Sequence, residues 1–303
     1  FLDKNPSDLM MHHIYAGILN LSGDIKGADE ENLTVIKNVS GYTASVSAYA
    51  MGSLYRDDVT QDEIFRRHRM WHDLYESKTK RREIPATPSQ KNGKFRIGYI
   101  SPDLKRHSVT FFFEPVLAHH DRSRFEIFCY SDTSRTDAIT ERLKHLSTQW
   151  RDIRDLSDNK VAELICGDKI DILIDLAGHT GGRLNVLAMK PAPIQMTWIG
   201  YPATTGLDAV DYRITDILAD TEGQEKFHTE KLIRLPGTFL VFAPPDDAPE
   251  IQNAPCLKNG FVTFGSFNST PKISPSCIRL WSSVLKAVPN SKMVIKNKTA
   301  NDP

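Results

Sequence analysis

From Phe95 onward, short apolar runs rich in β-branched residues alternate with stretches of helical spacing, and this alternation constrains the fold more than any other feature. The runs at 95–100, 125–130, 170–176, 194–199 and 212–215 read as strands, and helical spacing falls at 109–119, 137–147 and 159–167. The 170–176 run, Ile170-Asp171-Ile172-Leu173-Ile174-Asp175-Leu176, is apolar at nearly every position. A strand wetted on one face alternates polar with apolar residues, whereas a near-continuous apolar strand is covered on both faces. Such strands in βαβα order predict an α/β fold, with a parallel sheet carrying helices on both sides.

The flanking segments have a different texture. Residues 1–77 read as helical, most clearly at 62–75, with Thr60 or Gln61 as cap and acidic residues in the first turn. Residues 78–94 are basic, polar and proline-containing, and read as a linker to a lobe spanning 95–242. A second linker, 243–260, holds Ala243-Pro244-Pro245-Asp246-Asp247-Ala248-Pro249. Beyond it come a strand at 261–265, a helix opened by Ser274-Pro275 and a strand at 292–296. Residues 261–303 therefore read as the beginning of a second Rossmann-like lobe, and two such lobes would enclose a cleft. A length of 303 residues suits two domains, or one domain with an appendage.

Composition narrows the function classes. Lysine plus arginine equals aspartate plus glutamate at 38 each, a balance that points to neither nucleic acid nor a membrane surface. The four cysteines are scattered without a CxxC pair, which argues against zinc and a disulfide framework and suits a reducing cytoplasm. Cys129 and Cys166 read as small buried hydrophobes. No apolar run reaches membrane-spanning length, and no basic-then-apolar leader opens the chain. The chain starts at Phe1 without methionine and stops soon after a strand-like run, so both ends are expected to be cuts in a longer protein.

Four loops follow predicted strands and carry the residue types that bind ligands. The stretch 264–275 contains Asn268 and Lys272 and leads into a helix start. Free N–H groups there would favour phosphate and a lysine would add charge, although an exposed lysine in an ordinary loop reads the same way. Asp175-Leu176-Ala177-Gly178-His179-Thr180-Gly181-Gly182 is glycine-rich, and His179 is expected to project into the cleft; a tight turn with an exposed histidine is the alternative. Ser101–Ser108 contains His107, which is suited to act as a base, to bind a diphosphate or acceptor hydroxyl, or merely to sit in a capping loop. The stretch 198–206 contains Thr204 and Thr205, as a cleft wall or as a structural turn.

Several expected signatures are missing: Asp-x-Asp, Gly-x-Gly-x-x-Gly, the P-loop pattern and Gly-x-Ser-x-Gly. Dehydrogenase, P-loop NTPase and α/β-hydrolase readings lose weight accordingly. A diphosphate leaving group without a metal needs other positive charge, which Lys272 and its helix start are expected to supply.

The segments "FRIGYISPDLKRHSV", "DILIDLAGHTGG", "KPAPIQMTWIGYPATTGLDAVDYRITD", "TEKLIRLP" and "GFVTFGSFNSTPKISP" closely resemble the O-GlcNAc transferase / SPINDLY family, in a bacterial spelling, over residues 55–298. The resemblance implies a GT-B fold of two Rossmann-like lobes after a tetratricopeptide helical region. It implies inverting, metal-independent transfer of a sugar to serine or threonine hydroxyls of a protein or peptide acceptor. The donor would be UDP-GlcNAc, or GDP-fucose in the SPINDLY branch, with no cofactor. By the same resemblance, His107 is the first-lobe histidine facing sugar and diphosphate. Lys272 is the phosphate-binding lysine, with Asn268 in its motif. His179 and Thr180 border sugar and acceptor, and Thr204 and Thr205 lie in the next cleft loop. The family's second lobe continues beyond a strand like 292–298, so only part of a donor site is expected within these residues. A protein-binding scaffold without transfer, and a transferase acting on glycans or small molecules, are the competing readings.

Overall fold

The computed structural model describes residues 7–83, 93–244 and 248–297. The chain divides into two compact units, one formed by residues 61–243 and one by residues 1–60 together with 244–303.

In the second of these, α1 (Leu9–Ser22) and α2 (Ile25–Asn38) form a hairpin followed by α3 (Thr43–Gly52). The hairpin is set by local chemistry. Asp8 accepts from the Met11 N–H, Gly23 ends α1 in the left-handed region, and Asp24 caps α2 by accepting from Gly27.

The other unit opens with α4 (Gln61–Leu74) and is built on β1 (Phe95–Ser101), α5 (Ser108–His119), β2 (Phe125–Ser131), α6 (Ala138–Leu146), β3 (Gln149–Asp152), α7 (Asp158–Gly167), β4 (Ile172–Asp175), α8 (Leu184–Ala188), β5 (Ile194–Trp198), β6 (Tyr212–Asp216) and β7 (Lys231–Leu235). Its seven strands pair in the order β3-β2-β1-β4-β5-β6-β7, all parallel. The α/β expectation therefore holds. β3 and β7 are edge strands that the apolar pattern alone did not mark: β3 carries Gln149, Arg151 and Asp152, and neither strand has a fully buried residue. The core between β1, β2, β4 and helices α5 and α6 includes Phe113, Leu117, Ile127, Leu143 and Leu176, each 0% exposed.

Residues 61–77, which read as part of the helical region, belong with the sheet unit. The reason is visible in what α4 buries: Arg67, His68 and Trp71 form its inward stripe, and His68 and Arg69 bond to residues of the 201–208 loop. Of the 78–94 stretch, residues 84–92 lie outside the described residues. Arg82 is fixed, its N–H donating to the Met189 carbonyl at 2.7 Å.

The remaining elements belong to the unit that holds α1–α3. α9 (Pro255–Asn259) falls within the stretch read as the second linker, and residues 245–247 are not among those described. Then β8 (Thr263–Ser266), α10 (Pro275–Ala287) and β9 (Lys292–Ile295) form one parallel βαβ. Among the described residues, no helix is long and apolar enough to cross a membrane. All four cysteines are free; Cys129 is buried as expected, while Cys166 is only partly covered and donates to the Pro191 carbonyl.

Phe113 sits on α5 against Tyr99 of β1, with ring centroids 4.8 Å apart, and is fully buried. Phe113→Ala is expected to cost about 3–5 kcal/mol in equilibrium denaturation. A loss below about 1 kcal/mol would mean that this face of the sheet is not the packed core described above.

Candidate active site

Three of the four ligand-type loops leave adjacent strands at one edge of the seven-stranded sheet. β1 lies beside β4 and β4 beside β5, with Ile100 opposite Asp175 and Asp175 opposite Thr197. Because all strands run parallel, the loops after β1, β4 and β5 emerge together. The chain runs outward from β1 to β3, then returns to the other side as β4, so the β1/β4 boundary is the topological switch point where open α/β sheets bind ligands. The fourth loop leaves β8, in the other unit.

His107 is the N-cap of α5 and its side chain is 41% exposed. Its Nδ1 accepts from the Val109 N–H at 3.3 Å, and Asp103 Oδ2 lies 3.7 Å away. A neutral ring that accepts at Nδ1 carries its proton on Nε2, so it presents a donor to its surroundings. The loop is held by Asp137, the cap of α6, which accepts from the Arg106 N–H, and by the Thr110 hydroxyl, which donates to the Asp103 carbonyl.

The β4 loop hangs on Asp175. This fully buried carboxylate accepts from Ala177 N–H, Gly178 N–H at 2.7 Å and the Thr197 hydroxyl. Burial pushes its pKa up to about 6, against the pull of those donors. Thr180 is exposed, and its hydroxyl donates back to the Ala177 carbonyl. His179 does not project outward as expected but is 4% exposed. Its Nε2 donates to the Thr205 carbonyl at 2.9 Å, and its ring meets those of His68 and Tyr201. Burial pushes its pKa down to about 3. Two of the glycines that suggested an exposed loop serve close packing instead: a Cβ at Gly178 would fall 2.6 Å from Tyr201 Cβ, and one at Gly182 would fall 2.7 Å from the Gly178 carbonyl.

Thr204 and Thr205 are also interior. Both hydroxyls donate to the buried carboxylate of Glu230, at 2.6 and 2.5 Å, and the Thr205 N–H adds a third bond at 2.7 Å. These hydroxyls are committed to holding the loop after β5 against the residue before β7.

In the other unit, Lys272 closes a 3-10 turn (Thr270–Lys272) and is exposed. Asn268 lines a hollow of about 760 Å³ formed with Leu21, residues 267–271 and Lys296–Asn297, a size typical of small-molecule sites. The helix start beside Lys272 differs from expectation. Ser274 caps Cys277, Pro275 has no N–H, and Ser276 donates both N–H and O–H to Asp57, at 3.0 and 2.7 Å. A carboxylate already sits where a phosphate was expected. Those donors hold the Asp57 pKa below its ordinary value.

Comparison with known proteins decides the family. The model of glycosyl transferase family 41 matches residues 76–247, more than half of the chain. This chain belongs to that family. It is 43% identical over 80% of its length to a probable UDP-N-acetylglucosamine–peptide N-acetylglucosaminyltransferase SPINDLY of Oryza sativa subsp. japonica. It is 40% identical over half its length to a UDP-N-acetylglucosamine–peptide N-acetylglucosaminyltransferase of Caenorhabditis elegans. A solved structure of an O-GlcNAc transferase mutant from Thermobaculum terrenum superposes with a TM-score of 0.92 at 33% identity, covering 100% of this chain and 57% of that one. The chain spans 27% of the rice protein and 14% of the nematode protein. The GT-B architecture implied by the resemblance is thereby shown for this family 41 chain.

Sequence reading missed four residues that hold the ligand-type loops: His68, Tyr201 and Glu230 in the sheet unit, and Asp57 at the start of α10 in the other unit. His72, Glu76 and Asp208 form a cluster of metal-ligand type among the described residues. Their atoms are already engaged: Glu76 accepts from the Asp208 and Ala209 N–H groups and pairs with Arg81, and Asp208 pairs with Arg69.

The buried titratable groups set opposing pH dependences. Burial lowers His68 to about 4 and His179 to about 3, below the ordinary histidine value near 6.5. Between about pH 6.5 and 4 the unfolded chain binds protons that the folded one refuses, so these two lose stability as pH falls. Asp175, raised to about 6, binds its proton in the folded state first and opposes that loss between about pH 6 and 4. Asp175→Asn should therefore make the fall in stability from pH 6 to 4 steeper, measured by urea denaturation at a series of pH values. An unchanged slope would mean that Asp175 keeps an ordinary carboxylate pKa.

Proposed function

We propose that this chain carries part of the active site of an inverting, metal-independent glycosyltransferase that moves GlcNAc from UDP-GlcNAc to serine or threonine hydroxyls of proteins. The observation that carries the reading is the convergence of the His107, Thr180 and Tyr201–Gly206 loops at the switch-point edge of a family 41 sheet. The names of its relatives, peptide N-acetylglucosaminyltransferases, support the donor and the acceptor class.

In this reading the acceptor oxygen attacks the anomeric carbon in line and the nucleotide diphosphate leaves from the opposite side with the bonding electron pair. The acceptor hydroxyl loses its proton as the new bond forms. Lys272 offsets the charge developing on the diphosphate. It takes this role without the α10 terminus, whose first donors are held by Asp57 and Ser274. The hollow beside Asn268 accommodates part of the nucleotide sugar. His107 orients donor or acceptor through its Nε2 proton, because its Nδ1 lone pair is used by Val109. The sequence has no Asp-x-Asp pair to hold a divalent cation with the diphosphate, which supports a lysine in that place.

Lys272→Ala in the full-length protein should lower transfer from UDP-GlcNAc to a test protein by about 10²–10³-fold. The melting temperature should hardly move, since Lys272 is exposed and, among the described residues, makes no ion pair. Near-normal turnover in this variant would remove the diphosphate role. Calorimetric titration with UDP-GlcNAc and GDP-fucose compares the two donors, and tighter binding of GDP-fucose would replace the GlcNAc assignment.

A further inference from the structure

α4 precedes the sheet in sequence, yet its contacts are with the site loops. The His68 carbonyl lies so close to Gly206, whose φ is +72°, that a Cβ there would fall 2.3 Å from it. Arg69 donates to the Gly206 carbonyl and pairs with Asp208 at 2.6 Å. Glu76, just beyond α4, accepts the Asp208 and Ala209 N–H groups. α4 and the turn after it thus hold the loop that follows β5 at Tyr201, Gly206, Asp208 and Ala209.

The His68 ring, 0% exposed, is the polar centre of this contact. Its Nδ1 lies 2.7 Å from the Ile64 carbonyl, which can only accept, so Nδ1 carries the proton. Its Nε2 then accepts from the Tyr201 hydroxyl at 2.7 Å. Tyr201, 2% exposed, stands between two loops. On one side its Cβ presses on Gly178, where an added Cβ would fall 2.6 Å away. On the other its carbonyl accepts from Arg213 at 2.9 Å. His179 closes the group, with ring centroids 5.1 Å from both His68 and Tyr201.

We propose that His68 and Tyr201 are positioning residues for sugar transfer: their hydrogen bond locks the Gly178–Thr180 loop to the Tyr201–Gly206 loop, making α4 part of the transfer machinery. The inference rests on the transferase reading above. The charged and titratable groups facing His68 include His179, Tyr201, Glu230, His228 and Arg67, and burial holds the ring neutral down to about pH 4. The pair is accordingly a fixed peg across the physiological range and not a pH switch.

Ordinary core packing predicts most of the same contacts, so the test removes the bond and keeps the shape. Tyr201→Phe in the full-length protein retains the ring against Gly178 and His179. It should lower kcat by about tenfold to a hundredfold, since small misplacements at a reacting centre have large rate effects. KM for UDP-GlcNAc should be unchanged. Amide exchange at Ala177–Thr180 should quicken. His68→Leu should behave alike, while His68→Gln, whose Oε1 can take the place of Nε2 as acceptor, should restore much of kcat. Wild-type kcat and exchange in both Tyr201→Phe and His68→Leu would overturn the proposal, as would a loss explained wholly by the unfolded fraction. If the wild-type protein transfers no sugar from either nucleotide, the transferase reading fails. The exchange measurement then still decides the coupling: quicker exchange at Ala177–Thr180 sustains it and unchanged exchange refutes it.

Discussion

The parallel pairing of β1 with β4 is the contact on which the rest of the sheet unit depends. It joins two outward-running halves, β1 to β3 on one side and β4 to β7 on the other, and creates the switch point at which the site loops emerge. Its register, with Ile100 opposite Asp175, places a carboxylate at the last position of β4. Side chains alternate faces along a strand, so a slip of one residue would send the buried set to the opposite side. The same register that packs Leu173 into the interior brings Asp175 under the glycine-rich loop.

That arrangement explains why so much of the fold was legible in the sequence. Strands buried on both faces leave near-continuous apolar runs, and helices between them keep their spacing, so β1, β2, β4, β5 and β6 were all readable. Helix starts were readable where a cap does local work, as at Asp137 and Ser274. Edge strands escaped. β3 and β7 each have only one strand neighbour and can carry Gln149, Arg151 or Lys231 without cost, so periodicity gives no signal there. The allegiance of α4 escaped for another reason: amphipathicity shows that a helix buries a face but not what covers it.

At the site, sequence identified the loops better than the orientation of their side chains. His107 caps α5 with its ring partly exposed, and Lys272 lies on an exposed turn. His179, Thr204 and Thr205 occupy glycine- and hydroxyl-rich segments that read as ligand-facing, yet all three turn inward. Their partners explain this. Glu230 and the Thr205 carbonyl are buried acceptors, and an unmet buried acceptor costs more than a hydroxyl left facing water. Those partners lie 25 and 26 residues away in sequence, beyond any local pattern. A ligand loop and a rigid loop under a ligand use the same residue types; only the location of the opposing acceptor separates them.

The same logic bears on how a diphosphate is neutralised without a metal. A helix N-terminus attracts anions because its first N–H groups lack partners. At α10 those groups are spent on Ser274 and Asp57, so the terminus already faces a carboxylate from the chain itself. Asp57 lies in the stretch after α3, so the helical hairpin region and the β8–α10–β9 unit are tied together through this cap. A second anion placed at that point would meet the Asp57 charge. Lys272, two residues before the cap and exposed, offers a mobile point charge free of that conflict. In this unit the helix terminus therefore serves the fold, and the lysine carries the electrostatic part of the proposed chemistry.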